Sequence, residues 1–395
     1  MATHNTAEQE SAIMQTYSRF PISLAKGKGS HVWDTDGNQY LDFTSGIAVC
    51  NLGHVPDSVK NAIEIQLNEL WHCSNLYHIP GQEQLAKILV ENSFGDYVFF
   101  CNSGTEANEA AIKLARRYAR KVKGSDSGEI FTFRQSFHGR TMAALSATGQ
   151  EKIQDGFSPL LPGFSYLGFN DMAALEEIKA SSACAVLLEL VQGEGGVIPA
   201  DPLWVKELEH ICKEKGILLM IDEVQTGMGR TGTLFAYEQY GIVPDIISIA
   251  KGLGSGFPIG AIIAGSEAAK GFEPGSHGST FGGNPLAATA GLATVKTLLE
   301  GSIMTEAGQL ASYLDEGLSA LKEKHTCVKE IRGLGLLKGI KVEGNALDIV
   351  KEALQQRLLI LSAGPEVVRI LPPLTATKEE VDNFLSILDN VLAKF

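Results

Sequence analysis

Two charged residues stand at the ends of short apolar runs. Residues 217–221 and 246–250 are too short for ordinary helices and read as buried strands. Asp222 closes the first run and Lys251 the second. A lone buried carboxylate or ammonium is costly unless it has a partner. In an open parallel sheet the carboxyl ends of the strands face the ligand crevice. One ligand that wants both an acid and an amine there is pyridoxal 5'-phosphate. Its aldehyde condenses with a lysine amine, and its ring nitrogen needs a carboxylate to stay protonated. Val224, two residues past Asp222 on the same strand face, would pack under that ring.

A phosphate needs its own seat. After the apolar run 97–101, Ser103 and Glu106 have capping-box spacing, which starts a helix running to about residue 123. The N–H groups of Gly104 and Thr105 then lack intrahelical partners, and a phosphate would take them. Phe137 and His138 fall just past the strand-like run 128–133, where an aromatic can stack on a flat heterocycle. A core role is the other reading of Phe137. Arg140 offers a fork that matches a carboxylate, or is a solvated surface charge. His72 and Cys73 have no further ligands at useful spacing, so no metal site is expected.

The blocks SGTEANE, FHGRT, DEVQTGMGRTG, PDIISIAKGLGSGFPIGA and HGSTFGGNPLA resemble the signatures of class III aminotransferases, of the fold-type I pyridoxal phosphate superfamily. The resemblance runs from about Tyr17 to the C-terminus. It implies that Lys251 bonds the cofactor and shuttles a proton, and that Asp222 holds the ring nitrogen. It also implies that Gln225 reaches the ring hydroxyl, that Phe137 stacks, and that Arg140 holds the substrate α-carboxylate. Glu194 and Arg369 match a pair that opens when glutamate or 2-oxoglutarate binds; an ordinary structural ion pair is the alternative. Thr280 matches a residue that binds the cofactor phosphate of the other subunit, with Ser279 near the substrate. That arrangement would make a homodimer obligatory. Tyr17 matches a substrate-contacting tyrosine, or is a packing residue at the foot of the N-terminal arm. Leu190 stands where the family usually has proline.

The implied reaction moves the δ-amine of N2-acetylornithine to 2-oxoglutarate, leaving a semialdehyde and glutamate, as in arginine biosynthesis. Ornithine, succinylornithine or 4-aminobutyrate are rival donors, and an aminomutase is a more distant reading. No residue separates the donors by chemistry alone.

The elements that must position these residues are legible in outline. Runs at 97–101, 129–133, 184–190, 217–221 and 246–250 alternate with helical patterns, which predicts an α/β fold with a mostly parallel sheet between helices. The runs around Asp36 and Gly37 predict a hairpin. Three parts are expected: an arm over 1–52, a large cofactor-binding domain over 53–285 and a smaller α/β domain over 286–395. A net charge of −13 argues against a nucleic-acid partner. The six cysteines are scattered without a C-x-x-C pair, as in a reduced cytoplasmic protein. The first residues carry no apolar run, so no secretory leader is expected, and no segment is long and apolar enough for a bilayer.

Overall fold

The computed structural model describes residues 12–395; most of the polar leader, 1–11, lies outside the described residues. The strands in chain order are β1 (Leu24–Lys28), β2 (His31–Asp34), β3 (Gln39–Asp42), β4 (Tyr97–Cys101), β5 (Ile130–Phe133) and β6 (Phe164–Leu167). Then come β7 (Ala185–Leu188), β8 (Val191–Gln192), β9 (Ile198–Pro199), β10 (Leu218–Asp222), β11 (Ile246–Ile249) and β12 (Gly260–Ala264). The last are β13 (Val328–Leu334), β14 (Leu337–Val342), β15 (Leu358–Leu359), β16 (Leu361–Ser362) and β17 (Val367–Ile370).

The central sheet has the order β4-β12-β11-β10-β7-β5-β6. Neighbours from β11 through β6 are parallel. β12 is antiparallel to both β11 and β4, so it alone runs against the rest. β6 and β12 are not among the strands expected from sequence. The reversal has a simple cause: residues 250–259 are too few for a helical crossover, so GAIIA must return antiparallel.

Side chains alternate cleanly across this sheet. Val186, Leu188, Leu219, Ile221, Ile247 and Ile249 join the core on one face. Ala185, Leu187, Leu218, Met220 and Ile246 join the core on the other, against helix Gly104–Lys121. That helix sits close because Ala107, Ala110, Ala111 and Ala115 fill its buried stripe. Period-two alternation therefore sends Asp222 to the helix side. The strand is delivered by helix Pro202–Lys215, whose N-cap Asp201 accepts from Leu203 and Trp204 N–H. Gly216 ends it in the left-handed region, at φ 64°, where glycine has no Cβ clash.

The C-terminal strands form a second sheet, β13-β14-β17-β16, backed by helices Ile303–Lys324 and Ala346–Gln355, on which helix Lys378–Leu392 packs. The arm forms a third, β1-β2-β3-β15, in which β3 pairs in parallel with β15. Helix Pro285–Glu300 packs on helices Asp57–Gln66 and Pro80–Glu91. Arg230 is fully buried and donates to Leu336 O (3.2 Å), Pro372 O (2.5 Å) and Asn51 Oδ1 (2.7 Å), tying arm, central loop and C-terminal region together. Burial without a carboxylate partner pushes its guanidinium down to about 9.

The arm is pinned by Asp42, which accepts from Thr44 N–H and contacts His54 Nε2 at 2.7 Å. This carboxylate, with Cys50 nearby, raises His54 from 6.5 to about 10. The folded value lies above the unfolded one, so the stabilisation is complete below pH 6.5 and lost as pH rises through 10. His54→Ala is expected to lower stability by roughly 2 kcal/mol at pH 6. In paired melts from pH 6 to 10 the gap to wild type should narrow; a constant gap would show that the ion pair contributes nothing.

Candidate active site

Asp222 and Lys251 line one cavity of about 390 Å³ at the carboxyl ends of β10 and β11. Gly104, Thr105, Phe137, Arg140, Val224 and Gln225 line the same space. Four separate chain segments thus deliver these residues to one point, because β4, β5, β10 and β11 all end on that edge.

Asp222 is the best-held group. It is 4% exposed. Its Oδ2 accepts from Asn108 Nδ2 at 2.7 Å and contacts His138 Nδ1 at 2.8 Å, while Oδ1 accepts from Val224 N–H at 3.0 Å. Asn108 also donates to His138 O at 2.8 Å, which closes a small buried ring of contacts. Neither Asn108 nor His138 is among the site residues expected from sequence. The first could have been found from its place one helical turn after Gly104. The second follows the stacking Phe137 directly.

Lys251 begins a short 3₁₀ turn, Lys251–Leu253, with φ 42°. A non-glycine residue in that region is strained, and such strain gathers where the surroundings over-determine a side chain. Burial lowers its proton affinity, and the Arg369 guanidinium lowers it further. Glu194, Asp222 and Glu189 act in the other direction. Among the described residues its Nζ makes no hydrogen bond or ion pair.

The start of helix Gly104–Lys121 departs from the expected capping box in one detail. Ser103 Oγ does accept from Glu106 N–H, but the Glu106 carboxylate reaches past Ser103 to Asn102 N–H, at 2.5 Å. Thr105 Oγ1 accepts from the N–H groups of Arg140 (3.2 Å) and Thr141 (3.3 Å), fastening the 137–141 loop to the helix start. The Arg140 guanidinium lies 5.6 Å from the Phe137 ring centre.

Arg369 is 2% exposed and donates from Nη1 to Glu194 Oε1 at 2.5 Å and Gln225 Oε1 at 3.2 Å. The pair is therefore closed and reaches the cavity through Gln225. Three expected residues do not line this cavity, and for Thr280 that agrees with a role toward the other subunit. Tyr17 is 76% exposed. Thr280 is exposed and does not line the cavity. Ser279 Oγ accepts from Asn102 Nδ2 at 3.2 Å, which places it at the rim.

The residues present fit pyridoxal phosphate. A Cβ on Gly104 would fall 2.6 Å from Val224 Cγ1, so only glycine keeps helix start and cavity floor this close. His138 Nε2 is buried with no partner, which leaves Asp222 as the anchor of that imidazole.

The class III aminotransferase model matches residues 12–392, and the chain belongs to that family. Pyridoxal 5'-phosphate is its cofactor. Among curated relatives, the acetylornithine aminotransferase of Oceanobacillus iheyensis is 56% identical over 387 residues, covering 98% of this chain and 97% of that protein. That of Bacillus subtilis is 50% identical over 384 residues, covering 97% and 98%. Among solved structures, the ornithine aminotransferase of Toxoplasma gondii aligns with a TM-score of 0.93 at 32% identity, over 97% of this chain and 93% of that one. The N-acetylornithine aminotransferase of Stenotrophomonas maltophilia aligns at 0.84 with 39% identity, over 96% and 97%.

Proposed function

We propose that this chain transfers the δ-amino group of N2-acetyl-L-ornithine to 2-oxoglutarate, giving N-acetyl-L-glutamate 5-semialdehyde and L-glutamate, a step of arginine biosynthesis. The observation that carries the reading is the shared cavity: Asp222 and Lys251 face it together, Arg140 stands at its edge, and the Glu194–Arg369 pair adjoins it. Identity to the acetylornithine aminotransferases over nearly the whole chain selects the donor.

Bound there, the cofactor supplies an aldehyde that carries the amino group and a ring that accepts electrons. Gly104 and Thr105 N–H groups would hold its phosphate at the helix start. Asp222 would keep the ring nitrogen protonated, with His138 and Asn108 aiming its carboxylate. Phe137 and Val224 would sandwich the ring, and Gln225 would reach its hydroxyl. Lys251 Nζ would tether the cofactor and take the proton from the amine-bearing carbon; burial keeps that amine neutral more readily, as a base requires. Arg140 would hold the donor's α-carboxylate. Arg369, released by Glu194, would take a carboxylate of 2-oxoglutarate, so one pocket accommodates two differently charged substrates.

The active unit in this reading is a cytoplasmic homodimer. Ser279 and Thr280 sit on an exposed loop beside Phe281 (59% exposed), and Trp71, Leu76 and Tyr77 are exposed nearby in the same region of contacts through Asn75. A second copy covering them would bring Thr280 to its partner's phosphate, and Tyr17 would meet substrate only after the arm shifts inward. The division into 1–52, 53–285 and 286–395 belongs to the same reading. Among the described residues no helix is long and apolar enough to cross a membrane.

The rival donor is ornithine, favoured by the structural match to the Toxoplasma enzyme. The test is kcat/KM for N2-acetylornithine, ornithine, succinylornithine and 4-aminobutyrate with 2-oxoglutarate as acceptor. The acetylated donor should lead; a preference for free ornithine refutes the assignment.

A further inference from the structure

The turn that carries Thr280 is exposed yet held on every side. An exposed loop tip is ordinarily the least constrained part of a chain. Thr280 and Phe281 are exposed at the tip of a turn over 279–282. The turn closes on itself, because Ser279 Oγ accepts from Gly282 N–H at 3.0 Å. Asn284, the N-cap of helix Pro285–Glu300, donates from Nδ2 to Phe281 O at 2.9 Å. Asn102, which lines the cavity, donates to Ser279 Oγ and so fastens the turn to the start of helix Gly104–Lys121.

The remaining fastening comes from two side chains outside the cavity. Asn75 Nδ2 donates to Ser279 O and to Gly282 O, both at 3.0 Å, one carbonyl on each side of the tip. Asn75 Oδ1 accepts from Gln82 Nε2 at 2.8 Å, and the same nitrogen donates to Gly283 O at 3.0 Å. Both polar atoms of the Asn75 amide are thus in use although the residue is exposed. The turn has no slack. A Cβ on Gly282 would lie 2.3 Å from Phe100 O, and one on Gly283, at φ 68°, would lie 2.4 Å from Gln82 Nε2. Ordering exposed groups costs conformational entropy. The residue held at this cost is Thr280, whose own hydroxyl makes no hydrogen bond among the described residues.

We infer that Asn75 and Gln82 are positioning residues that hold Thr280, with its free hydroxyl, ready for the cofactor phosphate of a second copy of this chain. The inference rests on the proposed shared active site. A hydroxyl fixed in advance loses little freedom when the phosphate arrives, whereas a loosened turn must be ordered at that moment. Asn75→Asp keeps the volume, removes both donors and sets a carboxylate against two carbonyl oxygens, so the tip is released. Gln82→Ala removes the bonds to Asn75 and Gly283 from helix Pro80–Glu91 and leaves a good helix former there.

The experiment follows, by absorbance, the rate at which pyridoxal 5'-phosphate leaves the diluted holoenzyme, with sedimentation reporting the dimer. It compares wild type, Thr280→Ala, Asn75→Asp and the double variant. Each single change should speed release about tenfold. The double variant should also show about tenfold, because the clasp acts through Thr280 and coupled residues are not additive. Two losses that multiply to about a hundredfold are what a merely structural role gives. That result, or an Asn75→Asp variant that releases cofactor like wild type, overturns the inference and leaves the shared site standing. If Asn75→Asp no longer forms dimers, Gln82→Ala decides by the same cycle. Release unchanged by Thr280→Ala would refute the shared site itself.

Discussion

Replacing Lys251 with alanine is expected to abolish turnover, with a loss of about 10⁴-fold or more in kcat. The variant removes the only amine among the cavity-lining residues named here that sits at a strand end beside Asp222. No neighbour can substitute. Arg140 and Arg369 carry guanidinium forks, which bind carboxylates but offer no amine to tether the cofactor. The fold should survive, and the reason is electrostatic. Burial depresses the lysine's proton affinity below its unfolded value of 10.5. Between the folded value and 10.5 the unfolded chain binds more protons, so stability rises with pH there and burying the amine is a cost below it. Alanine removes that cost. Apo Lys251→Ala should therefore melt no lower than apo wild type at pH 7, while single-turnover amine transfer disappears. Residual turnover near wild type would remove Lys251 from the mechanism, and a collapsed melt would show that its role is structural.

Asp222→Asn should lower kcat by roughly 10³-fold, the scale of losing one preorganised electrostatic contact and its charge. All three present partners of Asp222 are donors or donor-capable: Asn108 Nδ2, His138 Nδ1 and Val224 N–H. An amide must turn its N–H₂ toward one side of that ring. Toward Val224 it meets a fixed donor. Toward His138 it finds an imidazole whose Nε2 is free to take the proton, which converts Nδ1 to an acceptor, but the Asn108 Nδ2 donor faces the same atom. Either orientation opposes one donor to another, so the loss of catalysis is accompanied by a lower melting temperature. The check is a kcat measurement beside a melt and a cofactor titration. A kcat within a few fold of wild type would show that the ring nitrogen does not rely on this carboxylate.

Much of the site was legible from local pattern. Asp222 and Lys251 end apolar runs, Gly104 follows an N-cap serine, and Phe137 and Arg140 follow a strand. Each signal lies within a few residues of chain, where covalent geometry and period-two burial leave little freedom. The network around Asp222 was less visible, since Asn108 and His138 are ordinary residues until sheet register brings helix Gly104–Lys121 over β10. Glu189 lies inside the apolar run 184–190, and nothing local shows that the N–H groups of Phe137 and Gly193 both donate to it. The short turn before β12 also hid a strand whose direction is fixed by chain length rather than composition.

The amino-acid sequence by itself determined which groups exist and where each strand delivers them: an acid at 222, an amine at 251, a helix start at 104. Local steric and burial rules act on neighbours in the chain, so they can be read there. Tertiary structure alone decided which of these groups meet, which arginine is clamped by Glu194, and that Tyr17 and Thr280 stand outside the cavity. Those outcomes depend on strand order and on the packing of segments hundreds of residues apart, which no window of sequence contains.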